Sequence, residues 1–345
     1  MPARSLVTGA AGFIGAALAR RLVERGDTVT ALAGPGSDPW RLDGLREHAE
    51  VLELDLRDAD AVAGVMTAAR PEEVFHLAAH GAYSWQRSLP RMIETNVAGA
   101  AHVAEAALEA GARAIVNAGS SSEYGLKDHA PPEHELPEPN SAYAVTKASA
   151  TLLGGWLARS RGAAITTLRL YSAYGPWEEP RRLMPALVAA GLDRRLPPLA
   201  DPAIARDFVY VEDVCDAFLL AAQHAQPGAG AVYNVGSGVQ TSLRELAEVA
   251  RRTFAIDEEP AWAAFPARDW DTDVWVADAR RAHEELGWSA RTSLEAGLAG
   301  FAQWMDELAP KLAGRTGRSP KSLSGSTVCS STRQLCRHVA VKSNV

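Results

Sequence analysis

Gly9-Ala-Ala-Gly12-Phe-Ile-Gly15 is the stretch that most narrows what this chain can fold into. It follows Arg4-Ser-Leu-Val-Thr8, which reads as a short buried strand, and it precedes the helical run Ala16 to Arg25. Three glycines between a strand and a helix permit a tight turn and let backbone approach a ligand closely. The helix N-terminus adds unpaired N–H groups and the positive end of the helix dipole, which together suit a pyrophosphate. The spacing is G-x-x-G-x-x-G rather than the commoner G-x-G-x-x-G. Glycine spacing alone also describes an ordinary turn; the strand–turn–helix setting is what points to a dinucleotide.

Four further segments read as strands: Thr28 to Leu32, Val51 to Leu56, Glu73 to Ala79, and Ala114 to Ser120. Helices are predicted over about 58–69, 91–110 and 141–160. Alternation of this kind predicts an α/β chain with a Rossmann-type, doubly wound parallel sheet. Asp55 ends its strand where an acid can meet an adenine edge. Leu77, Ala78 and Ala79 are small or apolar residues at a strand end, where a cofactor lies in such sheets. Residues 1–175 are thus expected to form mainly the dinucleotide-binding domain. Past Pro176 the chain leaves the main sheet, with helices predicted over 181–190, 212–223, 245–254 and 277–286. Residues 176–310 are expected to form a smaller C-terminal lobe, with segments returning to the first domain. The segment 311–345 is rich in Ser, Lys and Arg, and no Asp or Glu follows Glu307, so it reads as an unstructured tail.

Tyr143 and Lys147 lie four residues apart in a predicted helix, so they share one face. A nearby ammonium favours a phenolate, which predicts a lowered tyrosine pKa and proton exchange with a carbonyl or hydroxyl near neutral pH. Without the glycine loop, the pair would read as a half-exposed tyrosine beside a solvated lysine. Ser120, at a strand end, would by itself read as a turn-capping serine.

Taken together, Gly9/Gly12/Gly15, Asp55-Leu56, His76-Leu-Ala-Ala79, Asn96, Ser120, Tyr143/Lys147, Arg169 with Tyr174-Gly-Pro176, Arg206-Asp-Phe208 and Glu285-Leu-Gly-Trp288 resemble the extended short-chain dehydrogenase/reductases. The likeness is to the branch acting on nucleotide-diphosphate sugars and covers about residues 4–305. It implies a catalytic set of Ser120, Tyr143 and Lys147. It also implies a cofactor site of Gly9, Gly12, Phe13, Ile14, Gly15, Asp55, Leu56, Leu77, Ala78, Ala79, Asn96, Tyr143, Lys147 and Tyr171. Ser37 and Arg41, near the second strand, are additional candidates. Substrate contacts are expected from His80, Ser121, Ser122, Ser172, Arg206 and Arg268. Either arginine read alone suggests a surface ion pair, such as Arg206 with Asp207. The resemblance further implies a homodimer joined through the helix after Asn96 and the helix carrying Tyr143.

Dehydration, epimerisation and ketoreduction share this scaffold. Dehydratases of the family place an acid and a base directly after the active-site hydroxyl residue. Here those positions hold Ser121 and Ser122, and Glu123 comes one residue late, on the other face if the strand stays extended. The second strand ends in Ala33-Gly34 without the acid that binds the ribose of NAD, and Ser37 and Arg41 follow. That pattern favours NADP(H), with NAD(H) as the alternative. Segments 80–86, 119–125 and 174–180 resemble the CDP-abequose and CDP-paratose synthase group. The expected reaction is therefore NADPH-dependent reduction of a nucleotide 4-keto-6-deoxyhexose. The alternatives are an NAD-dependent 4-epimerase and, less favoured, a cofactor-binding sensor without turnover.

Composition narrows the partners. The formal net charge is −7 despite the basic tail, which argues against a nucleic-acid binder. No apolar run is long enough to span a membrane, and no spacing of Cys or His suits a metal. The first strand starts close to Met1, leaving no room for a signal peptide, and only Cys215 lies in the body, so a cytoplasmic location is expected.

Overall fold

The computed structural model describes residues 2–262, 264 and 271–315. In chain order the first elements are β1 (Arg4–Thr8), α1 (Phe13–Glu24), β2 (Thr28–Ala33), β3 (Glu50–Glu53), α2 (Ala59–Ala69), β4 (Glu73–His76) and α3 (Leu89–Ile93). Then come α4 (Gly99–Glu109), β5 (Ala114–Ser120), α5 (Ala142–Arg161), β6 (Ile165–Leu170), β7 (Ser172–Tyr174) and α6 (Leu183–Gly191). The last are β8 (Ala205–Tyr210), α7 (Val211–His224), β9 (Val232–Val235), β10 (Gln240–Ser242), α8 (Leu243–Phe254), α9 (Arg280–Leu286) and α10 (Leu294–Arg315). Short 3-10 turns occupy Pro39–Leu42 and Ser121–Tyr124, and a π turn occupies Glu94–Ala98.

The expected α/β architecture is what the chain adopts. A seven-stranded sheet runs β3-β2-β1-β4-β5-β6-β9, with every neighbouring pair parallel. Parallel strands need helical crossovers, so both faces are covered and successive residues enter opposite cores. Leu6, Val74, Ile115 and Ile165 join the layer of α2, α4 and α5. Val7, Phe75, Val116 and Leu168 join the layer of α1 and α7. There Phe75 meets Phe218 edge-on at 6.4 Å, and truncating it to alanine would cost ~3–5 kcal/mol. A smaller lobe carries the three-stranded sheet β10-β8-β7 and its own core of Tyr174, Met184, Leu187, Leu246, Leu298 and Phe301.

Two expectations change here. The helix expected over 91–110 is broken by the π turn, because the Asn96 side chain is drawn out of the helix onto His80 and Thr146. α10 runs through Arg315, into the segment expected to be unstructured; the rest of that segment lies outside the described residues. The strand order reverses at β1, which has β2 on one side and β4 on the other. In doubly wound sheets, ligands bind beyond the strand ends at such a switch point.

Candidate active site

The glycine turn sits at the β1 end of that crevice. Gly9 has φ 70, and a Cβ there would lie 2.7 Å from the Ala78 nitrogen. A Cβ on Gly15 would lie 2.2 Å from the Gly9 oxygen. The turn is closed by Gly12 N–H donating to Gly9 O at 2.8 Å. Gly12 caps α1 without a side-chain hydrogen bond, and no acid stands in the first turn. The N–H groups at Phe13, Ile14 and Gly15 therefore present a positive helix end suited to a diphosphate, so these residues fit a dinucleotide. Thr8 braces the far wall: its Oγ1 accepts from the amides of Leu77 and Ala78, both at 3.2 Å, leaving its proton for His76 Nδ1 at 2.8 Å. Burial, then the charge of Lys147, holds His76 neutral, with its pKa pushed down to about 3.

Around the expected adenosine end the picture differs from the sequence. Ser37 is exposed, in a turn closed onto Gly34 O. Asp38 caps the 3-10 turn by accepting from Trp40 N–H at 3.1 Å, so its carboxylate is committed locally. Arg41, expected to reach a 2′-phosphate, is buried instead. It donates to Trp177 O at 2.6 Å and Ala11 O at 3.4 Å, and lies 3.6 Å from Glu179. Its Nη2 is buried without a hydrogen-bond partner, so a phosphate would have to displace the packing around it to reach it. Asp55 is bound by Arg57 at 2.6 Å, which holds its carboxyl down at about 2, so an adenine amino group would share that acceptor; Leu56 beside it is buried.

Asn96, expected as a cofactor contact, is engaged with protein. Its Oδ1 accepts from His80 N–H at 2.7 Å, and its Nδ2 donates to His80 O at 2.8 Å and Thr146 Oγ1 at 2.9 Å. Both amide protons are spent on protein, so it is a brace that pins the chain after Ala79 against α5. His80 is thereby held by its backbone, and burial followed by Arg91 lowers its imidazole pKa.

Ser120, Tyr143 and Lys147 do come together, where β5 ends beside the first turns of α5. That helix is set by Ser141, whose Oγ accepts from Ala144 N–H at 3.2 Å. Ser120 Oγ lies 2.7 Å from Ser122 Oγ, and the Ser120 hydroxyl is near enough to the Tyr143 phenol to draw its pKa down. Lys147 donates to Ala118 O, which anchors its ammonium at the strand end. The expected acidification of Tyr143 is not found. Burial, then the charge of Glu123, pushes its pKa up to about 12, against smaller downward effects of Ser120 and Arg182. Burial also lowers the pKa of Lys147, opposed by Glu123. In this state Tyr143 is a proton donor.

Glu123 is not on an extended strand. The chain turns into a 3-10 helix after Ser120, because Ser120 and Glu123 form a reciprocal cap. Ser121 is buried in that turn. Glu123 is fully buried: its Oε1 accepts from Ser120 N–H at 2.8 Å and its Oε2 from Arg169 Nε at 2.9 Å. Arg169 in turn stacks 4.4 Å above Tyr124 and donates to Glu133 O.

On the second lobe, Arg206 does not pair with Asp207. It donates to Ala205 O at 2.7 Å, lies 3.4 Å from Asp271, and sits 5.6 Å over Trp275. Asp207, whose importance the sequence reading missed, is a buried hub. It accepts from the N–H groups of Ser237, Gly238 and Ala277, at 2.6, 3.0 and 3.0 Å. Ser172 starts β7, half-buried opposite Phe208. The Tyr171 side chain packs edge-on to Trp275, with its hydroxyl buried and unpartnered. Arg268 lies outside the described residues.

A seam of aromatic and guanidinium groups joins the lobes. Trp177, at φ 72, lies under the Arg20 guanidinium at 3.9 Å and beside Trp40 at 5.6 Å and Trp304 at 5.0 Å. Arg20 also donates to the carbonyls of Arg41 and Asp43.

Residues 5–236 match the NAD dependent epimerase/dehydratase family. A UDP-glucose 4-epimerase of Mycolicibacterium smegmatis is 33% identical over 312 residues, 86% of this chain and 96% of that protein. The UDP-glucose 4-epimerase of Thermotoga maritima, solved with UDP-glucose, superposes with a TM-score of 0.79 at 29% identity, covering 88% of this chain and 99% of its own. The UDP-glucuronic acid 4-epimerase of Bacillus cereus, solved with UDP-glucuronic acid and NAD, gives 0.77 at 25% identity, covering 88% and 99%. Among the described residues no helix is long and apolar enough to cross a membrane, and no cluster of side chains suits a metal. With its glycine turn, its Ser/Tyr/Lys set and these matches, the chain is an enzyme of the NAD dependent epimerase/dehydratase family, within the extended short-chain dehydrogenase/reductases.

Proposed function

We propose that the enzyme is a nucleotide-sugar 4-epimerase that retains NAD. The place of Arg41 carries the choice. With its guanidinium committed to Trp177 and Ala11, the charge that favoured a 2′-phosphate is withdrawn, and with it the main argument for a net NADPH reductase. The 4-epimerases named above support the same reading. The sealing of Glu123 against Arg169 supports single-carbon redox chemistry over elimination, since no free acid follows Ser120.

The residues then divide the work as follows. Phe13 to Gly15 hold the diphosphate of the dinucleotide. A bound nicotinamide supplies the hydride acceptor and, when oxidised, a positive charge. Ser120 holds the sugar 4-oxygen, and Tyr143 takes its proton and later returns it. Lys147 keeps two ammonium protons for ribose hydroxyls after serving Ala118. Deprotonating Tyr143 from about 12 requires nearby positive charge; Arg182 favours the phenolate, and a bound oxidised nicotinamide would add to that charge.

The ketoreductase reading keeps one observation of its own: β2 ends at Ala33 with no acid at its tip. The test is incubation of purified enzyme with UDP-glucose or UDP-galactose without added cofactor. Interconversion, with NAD released on denaturation, is expected. Stoichiometric NADPH consumption on a 4-keto sugar nucleotide would establish the reductase instead.

We also propose a homodimer. Val145, Leu152 and Trp156 form one exposed stripe on α5, and Leu89 and Ile93 of the adjoining α3 are exposed beside it.

A further inference from the structure

We propose that segment 177–182 is a pH-gated latch between the lobes, closed while Glu178 is protonated and loosened when it ionises. The segment follows β7 and delivers the chain to α6. It opens on Trp177 at φ 72, a left-handed conformation that persists only while surrounding contacts enforce it. Those contacts come from several elements. Arg41 Nε donates to Trp177 O at 2.6 Å, and Arg20 and Trp304 pack on the indole at 3.9 and 5.0 Å. At the other end Arg181, held by Glu179 at 2.8 Å, lies 3.5 Å over Trp85 of the chain after β4. The segment is therefore fastened to the first lobe at both ends, across a strained residue.

Glu178 sits buried between those fastenings. Its Oε1 lies 3.1 Å from Arg182 Nε, and its Oε2 is buried without a hydrogen-bond partner. The charged and titratable groups that face it are Arg182 and Glu179 of its own segment, Arg41 of the Pro39–Leu42 turn, Tyr83 of the chain after β4, and Tyr174 of β7. Neither arginine compensates a carboxylate there in full. The Arg182 side chain is 50% exposed, so water screens it. Arg41 commits Nε and Nη1 to backbone carbonyls. Glu179 adds a like charge. Burial pushes the Glu178 carboxyl up to about 7 from an ordinary 4.5, against the smaller effects of Arg182, the Gly175 backbone and Arg41. With the segment open and Glu178 in water, the proton leaves near 4.5 instead. Between those two pH values the closed state binds more protons, so closure weakens as pH rises and levels off above about 7. The guanidinium of Arg182 stays charged throughout, which leaves the proton change on Glu178.

Hydrogen–deuterium exchange of the full chain, read by mass spectrometry on peptides covering the segment, measures closure directly. The reporters are the amides of Glu178 and Arg182, which donate to Gly175 O at 3.2 Å and Glu179 O at 2.9 Å. After correction for intrinsic exchange, wild-type protection should fall by roughly 30-fold from about pH 5.5 to about pH 8.5, most of it below pH 7. Glu178→Gln, which has no proton to lose, should stay protected across the range. Arg182→Gln removes a charge that favours the carboxylate, so its fall should continue to higher pH than in wild type. A flat wild-type profile, or the same fall in Glu178→Gln, overturns the latch. Thermal melts show whether Glu178→Gln is folded. If it is not, Arg182→Gln decides: a fall extended above pH 7 supports the latch, and a profile identical to wild type overturns it.

Discussion

Replacing Glu123 by Gln keeps its volume and removes one charge from a fully buried pair. The Arg169 guanidinium would keep Glu133 O and the Tyr124 ring but lose its only described carboxylate. Removing one partner of a buried ion pair costs ~3–5 kcal/mol. A glutamine oxygen can still accept from Ser120 N–H, which recovers about 1 kcal/mol. The expected loss is thus about 2–4 kcal/mol, or roughly 3–6 °C in Tm for a chain of this size. Urea denaturation gives the free energy directly. The same charge holds Tyr143 and Lys147 at higher pKa values, so the alkaline limb of kcat/KM should move to lower pH in the variant. A Glu123→Leu/Arg169→Met double variant should be more stable than either single one, because no unpaired charge remains. Glu123→Gln within about 1 kcal/mol of wild type, with an unmoved pH profile, would refute the argument that Glu123 acts as the buried counter-charge of Arg169 and raises the pKa of Tyr143.

Tyr143→Phe should lower kcat by at least ~100-fold while NAD affinity by calorimetry stays unchanged. His76 is neutral in the fold, at about 3 against an ordinary 6.5, so its contribution to stability is full above 6.5. That contribution is lost as pH falls toward 3, because the unfolded chain gains the proton first. His76→Gln should therefore show a shallower loss of stability in urea melts taken from about pH 6.5 down to about pH 4. Leu152→Glu with Trp156→Glu should convert a dimer to a monomer by light scattering; wild-type enzyme already monomeric at micromolar concentration would remove the proposed interface.

The legible parts of this protein were those written in local spacing. Gly9, Gly12 and Gly15 announced a close-packed turn, and the four-residue step from Tyr143 to Lys147 announced a shared face. Glu123 was misplaced although its signal was present: Ser120-Ser-Ser-Glu123 is a capping-box pattern, and a cap ends the extended strand on which the misreading depended. Arg41 could not be read locally, because its partner carbonyl belongs to Trp177 and meets it only through the packing of two lobes. Asn96 showed its residue type but not its partners, which lie on either side of it in the chain at His80 and Thr146. In Arg206-Asp-Phe208 the guanidinium drew attention, while the buried carboxylate of Asp207 binds the loop amides. The tyrosine pKa differs for a general reason: spacing reports neighbours along a helix but not the desolvation that surrounding segments impose.

Trp177 touches Arg20 of the helix that begins at the glycine turn, and Trp304 of the last helix. The first helix and the last described helix thus meet on one indole ring. Loss of that helix before Trp304 would leave the turn's own Gly12-to-Gly9 hydrogen bond in place and still loosen the base on which the turn stands. Its first symptom would be faster escape of NAD, appearing before any loss of helical structure elsewhere.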